Sequence, residues 1–406
     1  MTLKRVIPHG RILSRPTRRP RGTKHSVGYE LGKCFQLDRD HVLLVASMDE
    51  QGGGDLCVGN DGFIFRNLGE IDPTRAIPLN WPDEDYPLKH SPGRAFLAKY
   101  PLTGTFVSLG ARLSDGRTHP AAGTGILVGE GVTFNADRSS AGSGSEIVME
   151  FLQLRWNGHS LEVTEKNRTD QALGFRLCGT SLSYFLLCGE HILAPFVTDR
   201  GIVVFQFSFD GRRWQITGHG DPFVTHHRPD WIFPTGEMEP SILRTGDGFL
   251  VYTRGADPKG RVYRSDDGLN FRLWFERDNH TVPQALNQAS DGTVYLTTNT
   301  GPGMLRNPLL GYSLEGDRFG EPFVIHDEDG IRDDRGEKVP FVDHGVGVNL
   351  VLENRPRHFL WYRVCDLRER TFHGHQAGLQ TEFHKSGGPA TRSESGGLYL
   401  AELEFK

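Results

Sequence analysis

SDDGLNF (265–271) sets a serine, an acidic residue, a glycine and an aromatic in a fixed order, and SFDGRRW (208–214) and SLEGDRF (313–319) repeat that order. In such a stretch the acidic side chain can accept hydrogen bonds from the N–H groups of a turn, the glycine supplies a positive φ, and the aromatic packs away from the turn. Each copy therefore reads first as a hairpin. Weaker copies occur as GNDGFIF (59–65), SDGRTH (114–119) and NGHSL (157–161). The marker glycines 62, 116, 158, 211, 268 and 316 thus recur at intervals of about 50 residues, a spacing that points to a repeat architecture.

Between the markers run short segments rich in β-branched and aromatic residues, among them HVLLVASM, EIVMEFLQL, GIVVFQFSF, FLVYTRG and HFLWYRV, each bounded by turn residues. No segment has the period of a long amphipathic helix. A unit of roughly 50 residues holding four short strands is a propeller blade. Spread over 406 residues, such units predict an all-β, seven-bladed β-propeller, with six blades as the alternative. The whole chain, 1–406, then reads as one domain that carries a basic N-terminal extension over 1–24. GLYLAELEF (397–405) is expected to close the ring against N-terminal strands, leaving no long free edge.

Composition agrees with a turn-rich β-protein. There are 50 glycines and 23 prolines, and the mean hydropathy is -0.43. A formal charge of -5 argues against nucleic acid or an anionic membrane as a partner. Five widely spaced cysteines without a CxxC pair read as reduced thiols. The basic, proline-broken start lacks the apolar core of a signal peptide, and no segment is long and apolar enough to span a membrane, so a cytoplasmic location is expected. His226 and His227 would point to opposite faces of a strand, and His373 and His375 have no evident third ligand. No metal or cofactor is assigned.

The chemistry gathers in GEMEPSILRTGDGFLVYTRG (236–255). A turn at Gly246-Asp247-Gly248 would bring Glu239 and Arg254 to the same end of a blade. Glu239-Pro-Ser-Ile-Leu, Asp247-Gly248, Arg254 and Ser265-Asp-Asp-Gly follow in order, and one unit later come Pro283-Gln284, Asn299-Thr-Gly-Pro302, Arg306 and SLEGDRF. This order resembles the sialidase superfamily, whose blades carry Asp boxes and whose arginines bind the substrate carboxylate. The box here is one residue shorter between its acidic residue and its glycine.

The resemblance implies that Arg254 and Arg306 bind a carboxylate and that Glu239 orients a neighbouring group. It also marks departures. VDHGVGVNLVLEN puts His344 where the family has its tyrosine nucleophile, and KHSVGYELGK offers His25, with Tyr29 four residues on, where the family has its first arginine. His25, His344, Glu239 and Tyr29 are therefore the catalytic candidates. Arg254, Arg306 and Asp49, the last at the end of HVLLVASMDE, are the substrate-binding candidates.

The activity implied is cleavage of a glycosidic bond at a carboxylated sugar, sialic or uronic acid, by a glycoside hydrolase acting on an anionic oligosaccharide or glycan. Histidine and tyrosine beside arginine also suit β-elimination at a uronate, which needs a base, an acid and a cation on the carboxylate. A lyase is thus one alternative. A non-catalytic glycan-binding propeller is the alternative of a different class.

Overall fold

In GIVVFQFSF the residues Ile202, Val203, Val204, Phe205 and Phe207 are all buried, because a propeller strand packs on both faces against neighbouring blades and cannot alternate simply between core and solvent. The computed structural model describes residues 3–18, 27–50, 57–80, 96–99, 102–134, 147–223, 236–255, 257–278, 283–299, 306–332, 336, 338, 340–366 and 396–405.

Strand β1 (Leu3–Leu13) comes first in the chain and is used last. The first blade is β2 (Val27–Gln36), β3 (Val42–Glu50), β4 (Cys57–Phe65) and β5 (Ile77–Pro78). The second is β6 (Phe96–Lys99), β7 (Thr103–Val107), β8 (Thr124–Phe134), β9 (Ile147–Trp156) and β10 (Leu161–Thr169), with β6 and β7 pairing to successive halves of β8. The third is β11 (Gln171–Ala172), β12 (Phe175–Gly179), β13 (Leu186–Cys188), β14 (His191–Thr198), β15 (Gly201–Phe209) and β16 (Trp214–His219). The fourth is β17 (Glu237–Thr245), β18 (Gly248–Gly255), β19 (Lys259–Ser265) and β20 (Arg272–Asp278), and the fifth is β21 (Ala285–Gln288), β22 (Val294–Asn299), β23 (Leu309–Glu315) and β24 (Arg318–His326). The sixth joins the two ends of the chain: β25 (Pro340–Leu352), β26 (Arg355–Asp366) and β27 (Gly397–Phe405) pair in that order, and β1 completes the sheet antiparallel to β27, from Leu3 opposite Phe405 to Leu13 opposite Leu398.

The ring therefore has six blades, not the seven expected from the repeat. Two features explain the miscount. Gly116 lies in the connection between β7 and β8, so SDGRTH is an insertion inside a blade and not the mark of a new one. Residues 3–13, read from sequence as part of a basic extension, are a blade strand. GLYLAELEF does close the ring.

Closure is also visible in the core. Separate buried clusters join blades one and two, two and three, three and four, four and five, five and six, and six and one. The repeated turns serve these interfaces. Asp210 accepts the N–H groups of Arg212 and Arg213, Gly211 takes φ +93, and Trp214 is buried with its Nε1–H donating to Thr124 of the preceding blade at 3.1 Å.

One interface carries a pH dependence. Between blades five and six, His358 is buried, with Nε2 2.6 Å from the Tyr295 hydroxyl and Nδ1 2.7 Å from Asn349 Oδ1. Burial pushes its pKa down from 6.5 to about 4. The unfolded chain thus binds the extra proton between those values, so this contribution to stability is present above 6.5 and lost as pH falls towards 4. Two to three pH units correspond to about 3 kcal/mol. Urea titrations at pH 7 and pH 4 should show this loss in the wild type, and His358→Gln should lack that component.

Candidate active site

Because β17 and β18 are antiparallel, the first residues of one lie beside the last residues of the other: Glu237 opposes Gly255 and Met238 opposes Arg254. The register then slips between Met238 and Ser241, and Glu239 sits in that bulge with φ +51, a left-handed conformation unusual for a glutamate. Such bulges re-aim a side chain, and the strain of such a residue, about 1–3 kcal/mol, has to be held by its surroundings. Here both Glu239 carboxylate oxygens accept from Arg254 Nη1, at 3.0 and 2.9 Å. The sequence-based pairing of Glu239 and Arg254 at one end of a blade is what the fold produces.

The strand end is fixed from behind. Glu237, wholly buried, accepts from the Thr253 hydroxyl at 2.6 Å and from the Tyr263 hydroxyl at 2.9 Å, with Arg261 Nε at 3.8 Å. Arg261 is in turn clamped by Asp257 and Glu276. Neighbouring polar groups therefore hold the backbone that presents Glu239.

The same construction recurs in blade six. Asp343 opposes Arg363 across β25 and β26, and the register slips between Asp343 and Val346. Asp343 accepts from Arg306 and, at 3.1 Å, from Arg363 Nη2. Arg306 reaches it from blade five because its own carbonyl accepts the Val342 N–H at 2.7 Å. The two guanidiniums lie 4.6 and 4.7 Å from the centre of the Phe341 ring. All three arginines are buried. Burial, reinforced by the charges of Arg254 and Arg363, pushes the Arg306 pKa down to about 10 although Asp343 opposes the shift. Arginine stays protonated at neutral pH, so this means that the cation is electrostatically strained where it sits.

A fourth group comes from blade two. Glu130, near the end of β8, is 8% exposed and accepts the Thr180 N–H at 2.6 Å. Burial raises its pKa to about 8; the Thr180 hydrogen bond opposes the shift and the charge of Glu239 adds to it. At neutral pH Glu130 is mostly a carboxylic acid, facing the field of an ion-paired carboxylate.

Blade one repeats the bulge at Tyr29, where β2 slips against β3 between Tyr29 and Leu31. Tyr29 is wholly buried, and its hydroxyl donates to Asp61 at 2.6 Å. Burial and the Asp61 charge raise its pKa far above the usual phenol range. His25, His226 and His227, and the side chains of His344 and Asp49, lie outside the described residues; the His344 backbone belongs to the β25 bulge. His219 packs on Phe175 and Phe205. Among the described residues no group of three His, Cys, Asp or Glu is placed to hold a metal.

Sequence reasoning missed Glu130, Asp343 and Arg363. Each has a signal in the chain: a glutamate between glycines in VGEGV, the aspartate directly before His344, and an arginine within the apolar run HFLWYRVC.

No family model and no curated protein sequence matches the chain. Solved structures do. Trypanosoma rangeli sialidase in complex with the inhibitor DANA superposes with a TM-score of 0.54 and 9% identity, covering 99% of this chain and 60% of that one. The same sialidase in complex with 2,3-difluorosialic acid, described as a covalent intermediate, gives 0.53 and 10%. A protein of unknown function from Dyadobacter fermentans gives 0.56 and 12%, with 99% of each chain covered. This chain thus spans about 60% of the length of the sialidase it matches. At these identities the similarity establishes a shared propeller fold.

Proposed function

We propose that the chain is a glycoside hydrolase that cleaves the bond beside a carboxylated sugar. The observation that carries the reading is the pairing of a buried protonated carboxyl, Glu130, with an ion-paired one, Glu239, next to buried guanidiniums. Glycosidic hydrolysis needs a carboxylic acid to protonate the departing oxygen and a carboxylate on the other side of the reaction. A buried carboxyl that keeps its proton, beside a carboxylate ion-paired to an arginine, suits those two tasks.

In this reading Glu130 donates the proton and Glu239, the more exposed of the two carboxyl groups, is the carboxylate partner. Arg254 and Arg306 hold the sugar carboxylate, and an anion there relieves the mutual repulsion of Arg254, Arg306 and Arg363. Tyr29 orients Asp61 and the first-blade bulge. His25 and His344 are secondary proton carriers, and Asp49 is a substrate contact.

Incubation with a panel of sialosides and uronic-acid oligosaccharides tests the activity. The expected result is a released reducing sugar without an unsaturated, ultraviolet-absorbing product. An unsaturated uronate would identify a lyase, and binding without cleavage across the panel would identify a glycan-binding propeller; either result refutes the hydrolase.

A further inference from the structure

At the opposite end of the same strands, between blades four and five, lies a cleft of about 580 Å³. Its walls come from the β17–β18 hairpin, from the turns that join β21 to β22 and β23 to β24, and from β19 and β20. Glu239 and Thr245 are six residues apart on β17, which puts the cleft roughly 20 Å from the candidate active site along the strand. The two places are therefore separate. The volume falls within the range of small-molecule sites, about 300–1,000 Å³.

The lining mixes one aromatic with polar groups that the fold leaves free. Arg264 rests on the Trp274 ring, 5.6 Å from its centre, and uses Nη2 to donate to the Asp247 carbonyl at 3.1 Å. Its other N–H groups, the Asp247 and Asp317 carboxylates and the Ser313 hydroxyl make no hydrogen bond or ion pair among the described residues, although all four residues line the cleft. Leu250 contributes an apolar surface. Two free carboxylates against one guanidinium disfavour a phosphate or a polyanion. A planar carboxylate or guanidinium can instead pair with two adjacent hydroxyl groups, while the edge of the indole, whose face carries Arg264, and Leu250 leave apolar surface for the C–H groups of a sugar ring.

We infer that this cleft is a second saccharide site, one that takes a short neutral oligosaccharide and is independent of the anionic sugar proposed for the opposite end. A site of this kind would hold a polymeric substrate on the propeller without taking part in its cleavage. Arg264 and Asp317 would supply the polar contacts, and Trp274 the apolar one.

Titration calorimetry on the full chain with cello-, xylo- and maltotriose, and with the glucosamine trimer as an amine-bearing control, tests the inference. The expected result is saturable binding of at least one neutral trisaccharide, weakened tenfold or more by Asp317→Ala and by Arg264→Ala, and unchanged by Glu239→Gln. Asp317 is exposed, so an unaltered Tm should accompany its loss of binding. The inference is overturned if no neutral trisaccharide binds, if only the amine binds, if both cleft variants bind like the wild type, or if Glu239→Gln abolishes binding.

Discussion

Replacing Glu130 with glutamine is expected to lower turnover by roughly 10²- to 10⁴-fold, the usual range for removing a general acid. The amide keeps the shape and can still accept the Thr180 N–H, so Tm should not fall. Stability should instead become less dependent on pH between about 4.5 and 8. The Glu130 pKa in the folded chain, about 8, lies above its ordinary 4.5. Its contribution to stability is therefore present below 4.5 and lost as pH rises through 8. In the wild type, activity that requires the protonated form should decline above about pH 8. A substrate with a leaving group that needs no protonation should be much less sensitive to Glu130→Gln. Equal losses with good and poor leaving groups would remove Glu130 from the proton-donor role.

The second large effect concerns Asp343. This carboxylate is wholly buried and accepts from both Arg306 and Arg363. Asp343→Ala removes from two buried guanidiniums a carboxylate to which both donate. Removing one partner of a buried ion pair costs about 3–5 kcal/mol, and here two cations lose the same partner. Chemical denaturation should show a loss at or above that range. A high concentration of a small carboxylate such as acetate should restore part of it, because the anion would occupy the vacated position. A variant as stable as the wild type would show that the arginines are neutralised by other groups.

The turns were legible because their chemistry is local. Asp210 and Gly211 do their work within seven residues, and any chain with that order meets the same geometric demands. The pairing of Glu239 with Arg254 was legible for a related reason: a two-strand hairpin fixes its own register from the turn outward. The blade count was not local. It depended on whether SDGRTH opens a new blade or decorates an old one, and on whether the first strand belongs beside the last. The β7–β8 pairing leaves no mark in nearby sequence, and the closing strand GLYLAELEF was legible while its partner β1 was not, because residues 3–13 read as part of a basic extension.

The same limit explains the missed site residues. Glu130, Asp343 and Arg363 each read as an isolated charge in an apolar strand, a pattern that fits a paired interior residue as well as a catalytic one. Their significance comes from arrangement across blades. Arg306 leaves blade five to meet Asp343 in blade six, and the Glu239 charge of blade four acts on Glu130 of blade two. Sequence distance hides contacts that the closed ring creates. The bulges at Tyr29, Glu239 and Asp343 were equally invisible, since a one-residue slip has no composition of its own.

The most direct test compares cleavage of aryl glycosides of sialic and glucuronic acid with the corresponding carboxamides, in the wild type and in Arg306→Ala. The carboxylate and amide forms differ little in size, so the comparison isolates the charge that the buried arginines are proposed to bind. At least one carboxylated glycoside should be hydrolysed at least a hundredfold faster, by kcat/KM, than its amide, and Arg306→Ala should remove most of that preference. Cleavage of the amide at the same rate, or a preference that survives Arg306→Ala undiminished, would contradict the proposed binding.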